Sequence, residues 1–167
     1  MDGYIPDTSV ISARLDPSHH RHSDVRAAIE ALDQDSAQFV STMSLAELTF
    51  GVLMAEAFGK ASLPALQQML IEARAYAVLD VTHHTSAVYV ELKTNLAKRY
   101  LTKASRRGRP RWLEEWVDKT SGQKLQVDEN DVWMCAQGKE RDLILVTADS
   151  RMKRIADADP EVRLQVI

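Results

Sequence analysis

Four acidic residues stand where the chain could do chemistry with them: Asp7, Glu47, Asp131 and Asp149. Asp7 follows the short apolar stretch Tyr4-Ile5-Pro6, and Asp149 closes the run Leu143-Ile144-Leu145-Val146-Thr147-Ala148. Glu47 and Asp131 each fall in the first turn of an expected helix. If the apolar runs are strands of one parallel sheet, all four carboxylates can meet beyond its carboxyl edge, where such sheets bind ligands. Two carboxylates about 5 Å apart repel by roughly 3 kcal/mol at an effective dielectric near 20. A protein that gathers several must supply a cation or protonate some of them. Oxygen ligands without paired histidine or cysteine favour a hard ion, Mg²⁺ or Mn²⁺. Such an ion binds a phosphodiester oxygen and acidifies a bound water. The expected chemistry is therefore phosphodiester hydrolysis with water as nucleophile. Each residue also has a plain explanation: Asp7 can close a turn, Asp149 can cap the last helix, and Glu47 and Asp131 suit a helix dipole. Their recurrence at corresponding ends of elements favours the metal reading.

The elements that must position them alternate. Leu143–Val146 is an unbroken apolar run, the pattern of a strand covered on both faces. Tyr4-Ile5-Pro6, Phe39-Val40, Val78–Val81 and Val162–Ile167 are further strand candidates, with Pro6 confined to a strand end. Asp7-Thr8-Ser9 opens a helical turn. Ser23 can cap a helix with the stripe Val25, Ile29 and Leu32. Ser44, with Glu47 three positions on, has the form of a capping box for the next helix. Gly59 ends that helix. Leu66, Met69, Leu70 and Ala73 mark another helix, and Ser86 to about Lys98 a further one. Asp128 caps a helix through Val132, Cys135 and Ala136, and Ser150 to Ala158 is the last. Strand and helix in alternation predict an α/β fold with a mostly parallel central sheet flanked by helices. One domain over residues 1–167 suits the length. Between Lys98 and Lys124 the composition changes: Arg106, Arg107, Arg109 and Arg111 form a basic loop, and Trp112 to Asp118 reads as a short helix.

The formal charge of -3 excludes a basic nucleic-acid coat. The single cysteine, Cys135, excludes an internal disulfide and any multi-cysteine zinc site. No apolar run is long enough to span a bilayer, so a soluble cytoplasmic protein is expected.

Asp7-Thr8-Ser9, Ser44-Leu45-Ala46-Glu47-Leu48 with Gly51, Asn130-Asp131-Val132-Trp133 and Thr147-Ala148-Asp149, in this order, resemble the motifs of PIN-domain nucleases, above all the VapC-type toxins of prokaryotic toxin–antitoxin pairs. The resemblance covers roughly residues 4–53 and 128–167. It implies a PIN-like domain, a Mg²⁺- or Mn²⁺-dependent endoribonuclease, a homodimer, and a cognate VapB-type antitoxin that silences it. Carried over, Asp7, Glu47, Asp131 and Asp149 are the catalytic, metal-binding set, supported by Thr8, Ser9 and Thr147. Met152 stands where the family often has a further acid, and Pro6 where it often has an apolar residue.

Two other features bear on function. Arg106, Arg107, Arg109 and Arg111 beside Trp112 pair phosphate-binding and base-stacking groups, as in single-strand RNA recognition. A docking surface for an antitoxin segment is the alternative there. His19, His20 and His22, with His83-His84, read as solvated turns rather than a metal site. A second function class stays open: an inactive PIN-like binding module that acts with its antitoxin in transcriptional autoregulation. A haloacid dehalogenase-type phosphatase would need an acid where Ser9 stands, and no Walker-type phosphate loop occurs.

Overall fold

The computed structural model describes residues 3–32 and 36–167. Five strands, β1 (Gly3–Pro6), β2 (Ala37–Ser41), β3 (Ala77–Leu79), β4 (Ile144–Thr147) and β5 (Leu164–Val166), form one sheet in the order β3-β2-β1-β4-β5. Every pairing is parallel. Among the described residues eight helices accompany it: α1 (Thr8–Leu15), α2 (His22–Glu30), α3 (Thr42–Ala57), α4 (Leu63–Ala73), α5 (His83–Tyr100), α6 (Lys103–Arg107), α7 (Glu129–Glu140) and α8 (Lys153–Ala158). None of them is long and apolar enough to cross a membrane.

The alternation of side chains along a strand divides the core. Ile5 and Leu145 face a cluster with Leu92 and Leu96 of α5, Val132 and Cys135 of α7, and Ile155 of α8. Tyr4 and Val146 face the other way, onto Val10, Ala13, Val25 and Ile29 of α1 and α2. A third cluster joins Val40 to Leu48 of α3 and to Met69, Leu70 and Ala73 of α4. Both faces of the central strands are covered, which is why β4 reads as an uninterrupted apolar run.

β1 and β4 are neighbours, with Tyr4 opposite Ile144 and Pro6 opposite Val146. Pro6 is the last residue of its strand, and the ladder continues past it through the Asp7 amide to the Val146 carbonyl at 2.9 Å. From β1 the sheet is extended by β2 on one side; from β4 it is extended by β5 on the other. The crevice at this divergence lies beyond the carboxyl ends of β1 and β4.

Several local expectations are corrected. The turn after Asp7 is an eight-residue helix, with Asp7 as its cap. Arg21, not Ser23, precedes α2, and Ser23 lies within it. The cap of α3 is Ser41, whose hydroxyl accepts the Met43 amide at 3.0 Å. Ser44 is instead buried inside the helix against the Met134 sulfur. The helix therefore starts earlier than expected, and Glu47 lies in its second turn. Arg106 and Arg107 belong to the short helix α6 rather than a loop. The expected helix over 112–118 is only a 3-10 turn at Leu113–Glu115, because Val117 bridges to Lys124 and the Leu125 amide bonds the Trp116 carbonyl at 2.7 Å. Leu113, Trp116 and Leu125 are buried in the larger core cluster, so the excursion is anchored to the domain.

Candidate active site

Asp7 is placed by its backbone, at the end of β1 and the start of α1. Its Oδ1 accepts the Val10 amide at 2.7 Å and the Ser9 hydroxyl at 2.8 Å, and its Oδ2 accepts the Thr147 hydroxyl. Only 4% of the residue is exposed. Burial raises its pKa above the ordinary 3.8, the three hydrogen bonds oppose the rise, and the Asp149 charge adds to it.

Thr147 ends β4, fully buried, and its Oγ1 also accepts the Asp149 amide at 2.9 Å. One hydroxyl thus ties the first and fourth acids together. Asp149 caps the 3-10 turn Ser150–Met152. Arg151 clasps it, with Nε 2.8 Å from both oxygens and Nη2 2.5 Å from Oδ2, which holds its pKa below the ordinary value.

Asp131 sits at the third position of α7 in a reciprocal box with Asp128. Its amide bonds the Asp128 carboxylate at 2.9 Å, and its own Oδ2 accepts the Asp128 amide at 3.1 Å. Burial, the Asp128 charge, and the facing Asp7 and Asp149 push it up to about 7. Glu47 spans between helices: its Oε2 accepts the Thr8 hydroxyl and its Oε1 the Asn130 side-chain amide at 2.6 Å.

All four acids line one cleft of about 870 Å³. Thr8 and Ser9 line it too. Three further carboxylates join them, Glu114, Glu115 and Asp128, against two cations, Lys124 and Arg151. Glu114 and Glu115 follow the basic segment in sequence, and the fold brings them to the cleft. Asn130 had no signal beyond its place beside Asp131. Gln126 also lines the cleft, with φ at 55°, between buried Leu125 and Val127. A non-glycine residue in that region is uncommon.

The basic residues expected to hold RNA do not line this cleft. Arg106 and Arg109 border a separate cavity of about 340 Å³ with Trp116. Arg109 lies 5.9 Å from the Trp116 ring and Arg111 4.9 Å from the half-exposed Trp112. Met152 is fully buried in the core, so its side chain contributes nothing to the cleft. Cys135 is buried and its thiol is pushed up by burial and by Asp131. Trp133 is only partly buried and stacks on Tyr89, ring centroids 3.9 Å apart.

Among the described residues, no three of the histidine, cysteine, aspartate and glutamate side chains form a ready-made ion site. The acids turn to Thr8, Asn130, Thr147 and Arg151 instead. The donor chemistry nevertheless fits a hard divalent cation. The four acids offer only oxygen ligand atoms, and burial together with the neighbouring carboxylates holds Asp131 up at about 7.

The domain is thus a parallel α/β sheet with an acidic cleft at the divergence of its central strands. The chain belongs to the PIN domain family, whose profile matches residues 4–158. Among curated proteins none matches it by sequence. Solved structures share the fold. One is VapBC-5 from Mycobacterium tuberculosis, of the VapBC family of toxin–antitoxin systems, at 23% identity over all of both chains with a TM-score of 0.66. A second is VapBC2 from Rickettsia felis bound to a DNA fragment from their promoter, at 19% identity over 98% of this chain and 97% of that one, TM-score 0.64. DNA-bound VapBC from Salmonella typhimurium is similar at 19% identity, over 99% and 98%, TM-score 0.59.

Proposed function

We propose that this chain is a VapC-type toxin, an endoribonuclease that hydrolyses RNA phosphodiesters with Mg²⁺ or Mn²⁺ and is silenced by a cognate antitoxin. The observation that carries the reading is the acidic cleft at the carboxyl ends of β1 and β4, with Asp131 raised to about 7 by burial and by the neighbouring acids. Asp7, Glu47, Asp131 and Asp149 would hold the cation. Bound there, it would neutralise the substrate phosphate and acidify a water. Thr147 fixes Asp7 and the Asp149 amide in register, Ser9 fixes Asp7, and Thr8 with Asn130 fixes Glu47. Arg151 and Lys124 supply positive charge for phosphate.

A partner surface supports the toxin reading. Phe50, Leu53, Met54 and Phe58 are exposed along α3 and its end, Phe58 at 70%. A run of exposed large apolar side chains marks an association face. The VapBC complexes among the structural neighbours support an antitoxin partner. A homodimer is part of the same proposal.

The second reading is a binding module without activity. The ion pair that already occupies Asp149 favours it. The test is incubation of a labelled total-RNA pool with antitoxin-free protein, with Mg²⁺, with Mn²⁺ and with EDTA, beside Asp7→Ala. Discrete products that need both metal and Asp7 are expected. A folded protein that cuts nothing under either metal would leave the binding module standing.

A further inference from the structure

A second groove, of about 390 Å³, adjoins the acidic cleft and shares Ser9, Ser12, Asp149 and Arg151 with it. Its other wall is the α1–α2 connection, His19, His20 and Arg21. None of Glu47, Glu114, Glu115, Asp128 or Asp131 lines it. Its one carboxylate is Asp149, which Arg151 clasps. The charge balance is thus the reverse of the main cleft: two guanidiniums, two imidazoles and two hydroxyls around one paired acid.

The connection is built rather than loose. The His19 amide bonds the Asp16 carbonyl at 3.0 Å, the His22 amide bonds the His19 carbonyl at 2.9 Å, and His19 Nδ1 accepts the Arg21 amide at 3.2 Å. His22 Nδ1 lies 2.9 Å from the Ala13 carbonyl, against the end of α1. Arg21 is fixed by the carbonyls of Ile167 at 2.9 Å and Ala148 at 3.4 Å. These bonds use two of its five N–H donors. The His19 and His20 rings stack, centroids 4.6 Å apart and 27° between planes.

We propose that this groove is the subsite for the single-stranded nucleotide next to the scissile phosphodiester. Arg21 and Arg151 take its phosphate, and the His19–His20 pair stacks on its base. The proposal rests on the ribonuclease reading. Guanidinium on phosphate with aromatic rings on bases is how unpaired RNA is held. A duplex would keep its bases from the imidazoles. The backbone, repelled by the acids of the main cleft, has here a cationic path that ends at Asp149.

The test uses the full chain in an Asp7→Asn background with Mg²⁺, and the probe is a short fluorescent single-stranded RNA of mixed sequence. His19→Ala with His20→Ala should weaken binding about tenfold. Arg21→Gln should do likewise and lower the salt slope by about 1. Arg107→Ala with Arg111→Ala is the comparison arm. Since Arg21 also bonds two carbonyls, melting temperatures are compared, and exposed His20→Ala alone gives a variant with no such tie. In chains that keep Asp7, the histidine pair should raise KM for RNA and leave kcat nearly unchanged. Unchanged binding in the histidine and Arg21 variants overturns the subsite, as does loss confined to the Arg107/Arg111 arm. Binding of a poly-glutamate peptide in preference to the RNA overturns it in favour of a protein-docking groove. If the unsubstituted chain cleaves no RNA, the ribonuclease reading fails by itself; if it cleaves RNA and the histidines prove irrelevant, only the subsite fails.

Discussion

At the scale of single residues, the site depends on one hydroxyl and one forced carboxyl. Thr147 donates to Asp7 and accepts from the Asp149 amide, with no exposure to water. Thr147→Val keeps the shape and leaves both partners unsatisfied. It should destabilise the fold by about 1–3 kcal/mol in urea melts, while Thr147→Ser should retain most of the stability. Asp131 has a sign that can be worked out. Its pKa is about 7 folded against 3.8 ordinarily, so between those values the native state binds more protons than the unfolded one. Stability of the metal-free protein therefore falls as pH rises through that window. Asp7, also raised, contributes in the same direction. Thermal melts in EDTA from pH 4 to 7 should show the decline, and Asp131→Asn should flatten it. A decline of equal slope in Asp131→Asn would assign the effect to other groups.

Among the elements, α7 is the one that assembles the cleft. Its first turn carries Asn130 to Glu47 and Asp131 to the cleft, and Glu129 is tied to Lys93 of α5 at 2.5 Å. Further along, Gln137, fully buried, accepts the Ser41 hydroxyl at 2.5 Å and donates to the Leu79 carbonyl at 2.8 Å. This side chain joins the ends of β2 and β3 to α7, and Ser41 is also the cap that sets where α3 begins. Gln137→Leu should cost about 1–3 kcal/mol for each group left unpaired. It should also loosen Glu47 through the α3 start. Urea melts measure the first effect; the affinity for Mn²⁺, by calorimetry, measures the second and should weaken.

For the whole molecule, the strand order makes β1 and β4 adjacent and so joins Asp7 to Asp149 across most of the chain. The exposed apolar residues Phe50, Leu53, Met54 and Phe58, proposed above as an association face, lie outside the set of residues lining the cleft. Phe58→Glu should therefore leave the melting temperature nearly unchanged while it weakens capture of the antitoxin or of a second copy, read by light scattering and pull-down with the purified antitoxin. Millimolar Mg²⁺ or Mn²⁺ should raise the melting temperature, because a cation that binds only the native state stabilises it by mass action. A cation that leaves both melting temperature and RNA unaffected would count against the metal site.

The sequence by itself determined the α/β class and the parallel sheet, and it singled out the four acids Asp7, Glu47, Asp131 and Asp149 that line one cleft, because strand runs, helix stripes and a carboxylate after a strand are local patterns. Asp128 and Asp131 were legible for the same reason: a capping box spans one turn. It misplaced the start of α3, since Ser41 and Ser44 have equal local claims as caps and only the buried Gln137 favours the first. It also misplaced the local elements of the 98–124 excursion and gave no sign of which of its charges face the cleft. Its arginines dominate the composition, yet the burial of Leu113, Trp116 and Leu125 turns Glu114 and Glu115 to the cleft and leaves Arg106 and Arg109 around another cavity. His19, His20 and His22 read in sequence as a solvated turn; only the fold places Ser9 and Asp149 in one groove with His19 and His20. Which charges face one another depends on contacts between residues far apart in the chain, and no local pattern encodes those; tertiary packing alone decided them.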